Sequence, residues 1–452
     1  MIQRTEPTHS KDNDNYNYAS ENGYASTAYS SVNSSPEHRQ QQATATAILH
    51  RNGTTSAQTF IHLIKGNIGP GCLSLPWAFC QLGVSVGIGT CVVISVWTSY
   101  NGWTVLQAKQ HAEDTYPDIG TRAYGPHFGG YVVQGCICMQ QLAICTVFMS
   151  LVIENSGLWA VPVILAVSCV PSLERMAPIT MLGTALLCVA LCIVAGVMVD
   201  EWSERPTAMD SSTQQQPLLA LCALLYSFEG ICLLLPIQAA MERPQTFPFI
   251  FVSSMITVTV VFCTLASFAV WTFGTVSDGS ITAYLLHQCH GGYAVVWANA
   301  AVSASVICTY PLQLVPCVEL LEPWFHKRWR TPTWCNESQV QLLSVSTTTT
   351  TTTDTTATTT NDADHDTSSA LLRLVLFGLT FGIAILIPNV QSIISLAGAV
   401  AGSTTALILP PCISLARPQQ EYPMGRILSW VLLLVGIGFF GIGTYVSMVN
   451  ML

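Results

Sequence analysis

Three groups in this chain combine residue type and spacing in a way that could do chemistry. The first is the backbone from Asn67 through Ile68, Gly69, Pro70 and Gly71, inside the apolar stretch TFIHLIKGNIGPGCLSLPWAFCQ at 59–81. That stretch is long enough to cross a bilayer, and Gly66, Gly69, Pro70 and Gly71 interrupt it near the middle. Proline has no backbone donor and glycine adds conformational freedom, so a helix breaks here. Hydrocarbon cannot satisfy the freed N–H and C=O groups, so the break should face protein, water or a bound solute. The half-helix beyond it starts with a partial positive charge, and amides from Ile68 to Gly71 would suit an anion such as a carboxylate.

The second group is Glu229, beside Gly230 in the middle of another apolar run. An acidic side chain at that depth costs several kcal/mol by some measures, so it should face a cavity or a partner. It could bind an ammonium group, carry a proton, pair with Lys65, or make a buried structural hydrogen bond. The third is His62, three residues before Lys65. Imidazole changes charge near neutral pH, which suits a proton-coupled step, although a lone intramembrane histidine often only satisfies a local hydrogen bond.

These residues must be positioned by membrane helices. Half of the 452 residues are hydrophobic, 9% are charged, and the mean hydropathy is +0.46; soluble domains carry about 25% charged residues. The class is an all-α polytopic membrane protein. A window of about 19 residues gives eleven spans, at 59–80, 83–107, 130–153, 156–171, 177–199, 216–239, 247–273, 292–318, 371–388, 391–413 and 426–449. With the N-terminus in the cytosol, 14 of the 16 basic residues fall on the cytosolic side; Lys65 lies in a span and Arg205 outside. The positive-inside rule therefore sets the N-terminus in and the C-terminus out.

Two segments should lie outside this fold. Residues 1–55 are rich in Ser, Asn, Gln and Tyr and are expected to be a disordered cytosolic tail without an apolar signal-peptide core. The transmembrane domain then runs over 56–450, with a disordered cytosolic insertion at 322–369 that contains a threonine tract. The sequons at Asn33, Asn52 and Asn336 fall in these segments.

The net charge of −9 and the lack of a basic stripe argue against nucleic-acid binding. Most of the seventeen cysteines sit in apolar runs and read as packing residues. No catalytic triad, Walker loop or metal-ligand spacing is present, so neither an enzyme, a metal site nor a cofactor is expected. Thr309-Tyr310-Pro311 and Gln313 could line a pathway in span eight, while the small residues of span ten suit close helix packing. Tyr226 to Gly230 repeats the interruption of span one five spans later. Interrupted helices at corresponding positions of two five-helix halves point to an inverted-repeat transporter with the eleventh helix outside the repeat.

The motifs also resemble a known family. IHLIKGNIGPGCLSLPWAFCQLG, YSFEGICLLLPIQAAM, TYPLQLVPCVELLE and IPNVQSIISLAGAVAGSTTALILPP are similar to the signatures of the amino acid/auxin permease family, particularly its proton-coupled branch. The resemblance covers about Thr59 to Val449. It implies a LeuT-like 5+5 fold plus an eleventh helix, moving small neutral amino acids by alternating access. It implies substrate contacts at Gly69, Gly71, Phe228, Glu229, Gly230 and Tyr310, and proton coupling at His62. Pro70 departs from the branch, which commonly has a small hydroxyl residue there. The segment Glu154 to Gly157 offers no cysteine to Cys289, so the exoplasmic disulfide of animal members is not expected.

The expected activity is secondary active transport of small neutral amino acids, with a proton as the coupling ion. The rival readings are a sodium-coupled or passive transporter, or a membrane amino-acid sensor. The membrane is either the plasma membrane or that of a vacuole or lysosome.

Overall fold

A computed structural model describes residues 54–111, 114–168, 173–204, 216–288, 292–329, 358–387, 389–417 and 423–451. The predicted N-terminal tail and its sequons, most of the threonine-rich insertion, Arg205 and Cys289 lie outside the described residues. The described chain contains α-helices α1 (Ser56–Asn67), α2 (Leu75–Leu82), α3 (Val84–Ala108), α4 (Tyr116–Tyr124), α5 (Tyr131–Ser156), α6 (Val161–Ser168), α7 (Leu173–Asp200), α8 (Pro217–Ser227) and α9 (Ile231–Ala239). They are followed by α10 (Phe247–Phe273), α11 (Ile281–Gln288), α12 (Tyr293–Trp329), α13 (Thr358–Leu386), α14 (Val390–Ala397), α15 (Leu409–Leu415) and α16 (Pro423–Val449). Among the described residues no strand forms; one parallel bridge joins Thr54 to Met241.

Each of the eleven predicted spans is occupied by helix, but among the described residues eight helices are long and apolar enough to cross a membrane by length and composition. The first span is divided: α1 ends at Asn67, a 3-10 turn covers Pro70–Ser74, and α2 follows. The fourth begins only after Gly157, whose φ of 79° breaks the chain, and its apolar helix Leu158–Ser168 is short. The helices also run further into the predicted insertion than its sequence suggested. Backbone helix reaches Trp329 on one side and starts at Thr358 on the other.

Local chemistry explains the boundaries. Thr55 caps α1 through a capping box in which Thr55 N–H donates to Gln58 Oε1 at 2.9 Å. Thr115 and Asp118 form the same device at α4, which Gly125 closes at φ 85°. Span ten is helical from Val390 to Leu415, but Gly398–Ile408 takes the wider π form. That geometry displaces carbonyls from the usual ladder, and side chains collect them. Asn101 Nδ2 donates to Ala406 O at 2.7 Å, and Tyr116 Oη donates to Thr405 O at 3.1 Å. Small residues allow the close approach expected for span ten: a Cβ on Gly398 would overlap the Cys222 carbonyl of α8.

The two divided helices sit inside the bundle. α2 packs on α8, α1 on α9 and α10, and α5 along α12 and α14. Outward faces are apolar, with Val92, Val93 and Val96 of α3, Phe249, Ile256 and Val260 of α10, and Val431, Leu434 and Val435 of α16 all exposed. Such a belt has no stable place in water and defines a multi-pass membrane protein. The fourteen described cysteines are free thiols, most of them at least partly buried.

Candidate functional site

The breaks of spans one and six face each other. Gly71 lies against span six so closely that a Cβ would stand 2.9 Å from the Tyr226 ring and 3.8 Å from Ser227 Cα. Ser227 Oγ donates to Gly71 O at 3.3 Å, as Ser74 Oγ does at 2.8 Å. On the reciprocal side, a Cβ on Gly230 would meet the Asn67 carboxamide at 2.6 Å. Glycine thus serves twice in the approach of one interrupted helix to the other, against a ring at Gly71 and against a side-chain end at Gly230.

Between them lies a cavity of about 60 Å³. Its walls are Gly66, Asn67, Gly69, Pro70 and Gly71 from span one, and Tyr226, Ser227, Glu229, Cys232 and Leu233 from span six. Gln140, Gln141, Ile144 and Phe148 of α5 and Gln313 of α12 complete it. A larger groove of about 520 Å³ borders α5, α13 and α14, but Thr146 is the single polar side chain among Met139, Leu142, Leu379, Ile383 and its other neighbours, apart from cysteine. An orienting site needs convergent polar groups, and these gather in the smaller cavity.

Three of those groups are buried without a hydrogen-bond partner: Glu229 Oε1, Gln140 Nε2 and Gln141 Oε1. Gln140 and Gln141 are 1% and 3% exposed, so surface water does not reach them directly. Glu229 faces Gln140 without forming a well-directed bond, and its Oε1 lies 3.7 Å from the place of a Cβ on Gly402 in the π segment. Thr405 Oγ1 makes a short hydrogen bond to Gln140 Oε1. A carboxylate, an amide donor and an amide acceptor thus converge on one small space.

The structure brings some of the expected residues together and leaves others apart. The amides of the first break are mostly not free. Ile68 N–H donates to Ile64 O at 2.7 Å and Gly69 N–H to Asn67 O at 3.0 Å, while proline has none. Tightening into turn and 3-10 geometry satisfies these donors internally, leaving Gly71 N–H of that set outside the bonds. Ile68 does not line the cavity. Phe228 turns away and packs edge-on to Phe262 of α10 at 5.2 Å, and with Gly230 it borders a separate space of about 20 Å³.

Tyr310 is also elsewhere: its hydroxyl pairs with Thr380 Oγ1 at 2.7 Å and its ring with Phe377 at 6.1 Å. Lys65 does not pair with Glu229; its Nζ lies 3.9 Å from Met181 Sδ. His62 is exposed on α1 and is not in the cavity wall. The α5 glutamines went unread in the sequence. The available signal was two adjacent polar amides in the apolar run ICMQQLAIC, which burial obliges to find partners.

A bundle of apolar helices with two interrupted helices closed around a polar cavity is the architecture of a membrane solute carrier. The chain matches the family model described as "Transmembrane amino acid transporter protein" over residues 52–449, and it belongs to that family, the amino acid/auxin permeases. It is 23% identical over 317 residues to vacuolar amino acid transporter 4 of Saccharomyces cerevisiae, a match covering 60% of this chain and 41% of that protein. It is 21% identical over 290 residues to vacuolar amino acid transporter 3 of Schizosaccharomyces pombe, covering 59% and 43%. The matched stretch spans less than half the length of either relative.

Proposed function

We propose that this chain is a secondary active transporter of small neutral amino acids, driven by proton symport. The observation that carries the reading is the buried Glu229 carboxylate, whose Oε1 makes no well-formed hydrogen bond, inside the cavity that the two interrupted helices enclose. A zwitterion complements that space: its ammonium meets Glu229 and its carboxylate meets Gly71 N–H. At ~10–15 Å³ per water-sized group, about 60 Å³ holds roughly four to six such groups. That is the scale of the smallest amino acids.

Coupling needs a proton bound together with the substrate. While Glu229 holds the ammonium it stays charged, so His62, exposed on α1, is the candidate for that proton, and Glu229 can take one only when no ammonium is bound. The interlock of Gly71 with Tyr226 and of Gly230 with Asn67 makes spans one and six a single moving unit. Rocking of that unit in an eleven-span, LeuT-like 5+5 frame would open the cavity to each side in turn. The two relatives named as vacuolar favour a vacuolar or lysosomal membrane over the plasma membrane. With the N-terminus cytosolic, proton symport there moves amino acids from the acidic lumen to the cytosol.

Uptake into proteoliposomes tests this reading. An imposed pH gradient, acidic on the lumenal face, is expected to drive concentrative serine or alanine uptake without sodium. Accumulation that needs sodium and ignores the pH gradient contradicts the coupling. Saturable binding without accumulation under either gradient favours a sensor.

A further inference from the structure

We propose that Gln140 and Gln141 form a side-chain subsite that selects small amino acids bearing a hydroxyl or carboxamide over their aliphatic isosteres. This rests on the cavity being the amino-acid site, and it adds the class of substrate. The argument is a count of donors and acceptors. The amino-acid backbone offers an ammonium, which donates only, and a carboxylate, which accepts only. Glu229 Oε1 meets the first and Gly71 N–H the second. Gln141 Oε1, an acceptor, is then left over without a well-formed partner, and Gln140 Nε2, which faces Glu229, has two N–H donors and so one to spare, both groups lying in the cavity wall.

Gln140 is held from behind. Thr405 Oγ1 engages Gln140 Oε1, so the amide nitrogen is the open end of that side chain. Gln141 follows one residue later on α5 and is 3% exposed. Buried amide groups of this kind need a hydrogen-bonding partner. A ligand that displaces an ordered water without replacing its hydrogen bonds loses affinity. A serine hydroxyl both donates and accepts, and an asparagine carboxamide does the same with two atoms. An alanine or valine side chain leaves both glutamines unsatisfied. Sites built around a hydroxyl discriminate far more strongly than apolar pockets that differ by one methyl group.

The test compares near-isosteric pairs in proteoliposomes: serine against alanine, and threonine against valine, each competing for labelled serine uptake. The wild-type protein is expected to prefer the hydroxyl member of each pair by about tenfold or more. Gln141→Leu should reduce the serine-to-alanine ratio toward one, with its melting temperature measured separately to show that the variant is folded. Gln141→Glu, which keeps an acceptor, should retain more of the preference than Gln141→Leu. Equal use of serine and alanine by the wild-type protein overturns the subsite but leaves amino-acid transport standing. An unchanged ratio in Gln141→Leu overturns it as well. If no amino acid is taken up or bound by the folded wild-type protein, the transport reading fails together with the subsite.

Discussion

The two interrupted helices do different work. At the span-one break the backbone nearly satisfies itself, through Ile68 N–H to Ile64 O and Gly69 N–H to Asn67 O. What it contributes is space, because Gly71 admits the Tyr226 ring and Ser227. The span-six break contributes charge, because Glu229 stands unpaired where Phe228 and Gly230 turn toward other neighbours. One break shapes the cavity and the other polarises it. A break in a membrane helix is therefore not by itself an ion or substrate site; its side chains and their partners decide.

Substitutions can separate the two roles. The largest loss is expected for Glu229→Gln, which removes the cavity's charge while keeping its shape. Truncating one partner of a buried charge pair costs about 2–5 kcal/mol, so serine affinity should fall roughly 30-fold or more in a binding assay with little change in thermal stability. Gly71→Ala should act on both counts. Its Cβ meets the buried Tyr226 ring, which cannot easily yield, at about 1–3 kcal/mol, and the melting temperature and uptake should fall together. Gly230→Ala should be milder, because the group it meets is the movable end of Asn67. Tyr310→Phe should cost about 1 kcal/mol of stability through the lost Thr380 bond, leaving serine affinity unchanged.

The smallest expected effect lies outside the membrane. Burial opposes the charge on Asp114, yet the Arg122 guanidinium and the His111 and Gln110 N–H groups hold its carboxyl below the usual range. A depressed folded pKa stabilises above the unfolded value, near 3.8, and the contribution is lost as pH falls through the folded value. This clip beside α4 therefore stays intact between about pH 5 and 8. Asp114→Asn should lower the melting temperature slightly and leave the pH profile of uptake unchanged over that range.

The sequence revealed some of this and hid the rest for physical reasons. Gly69, Pro70, Gly71 and Glu229 stood out because each is costly in an apolar helix unless something repays it. Family motifs added Tyr310 and Phe228, but a motif position does not say which way a ring points, and both rings pack against phenylalanines instead. Gln140 and Gln141 were missed because α5 is unbroken and its glutamines carry no charge. The π form of Gly398–Ile408, and the capture of its carbonyls by Asn101 and Tyr116, depends on contacts between distant segments. No local pattern announces it.

The central claim is that an amino acid sits between the two breaks. A structure determined with saturating serine tests it most directly. The account predicts ligand density in contact with Gly71, Gln140, Gln141 and Glu229, with the ammonium on the Glu229 side. Serine bound elsewhere in the bundle while this cavity holds only water would contradict it.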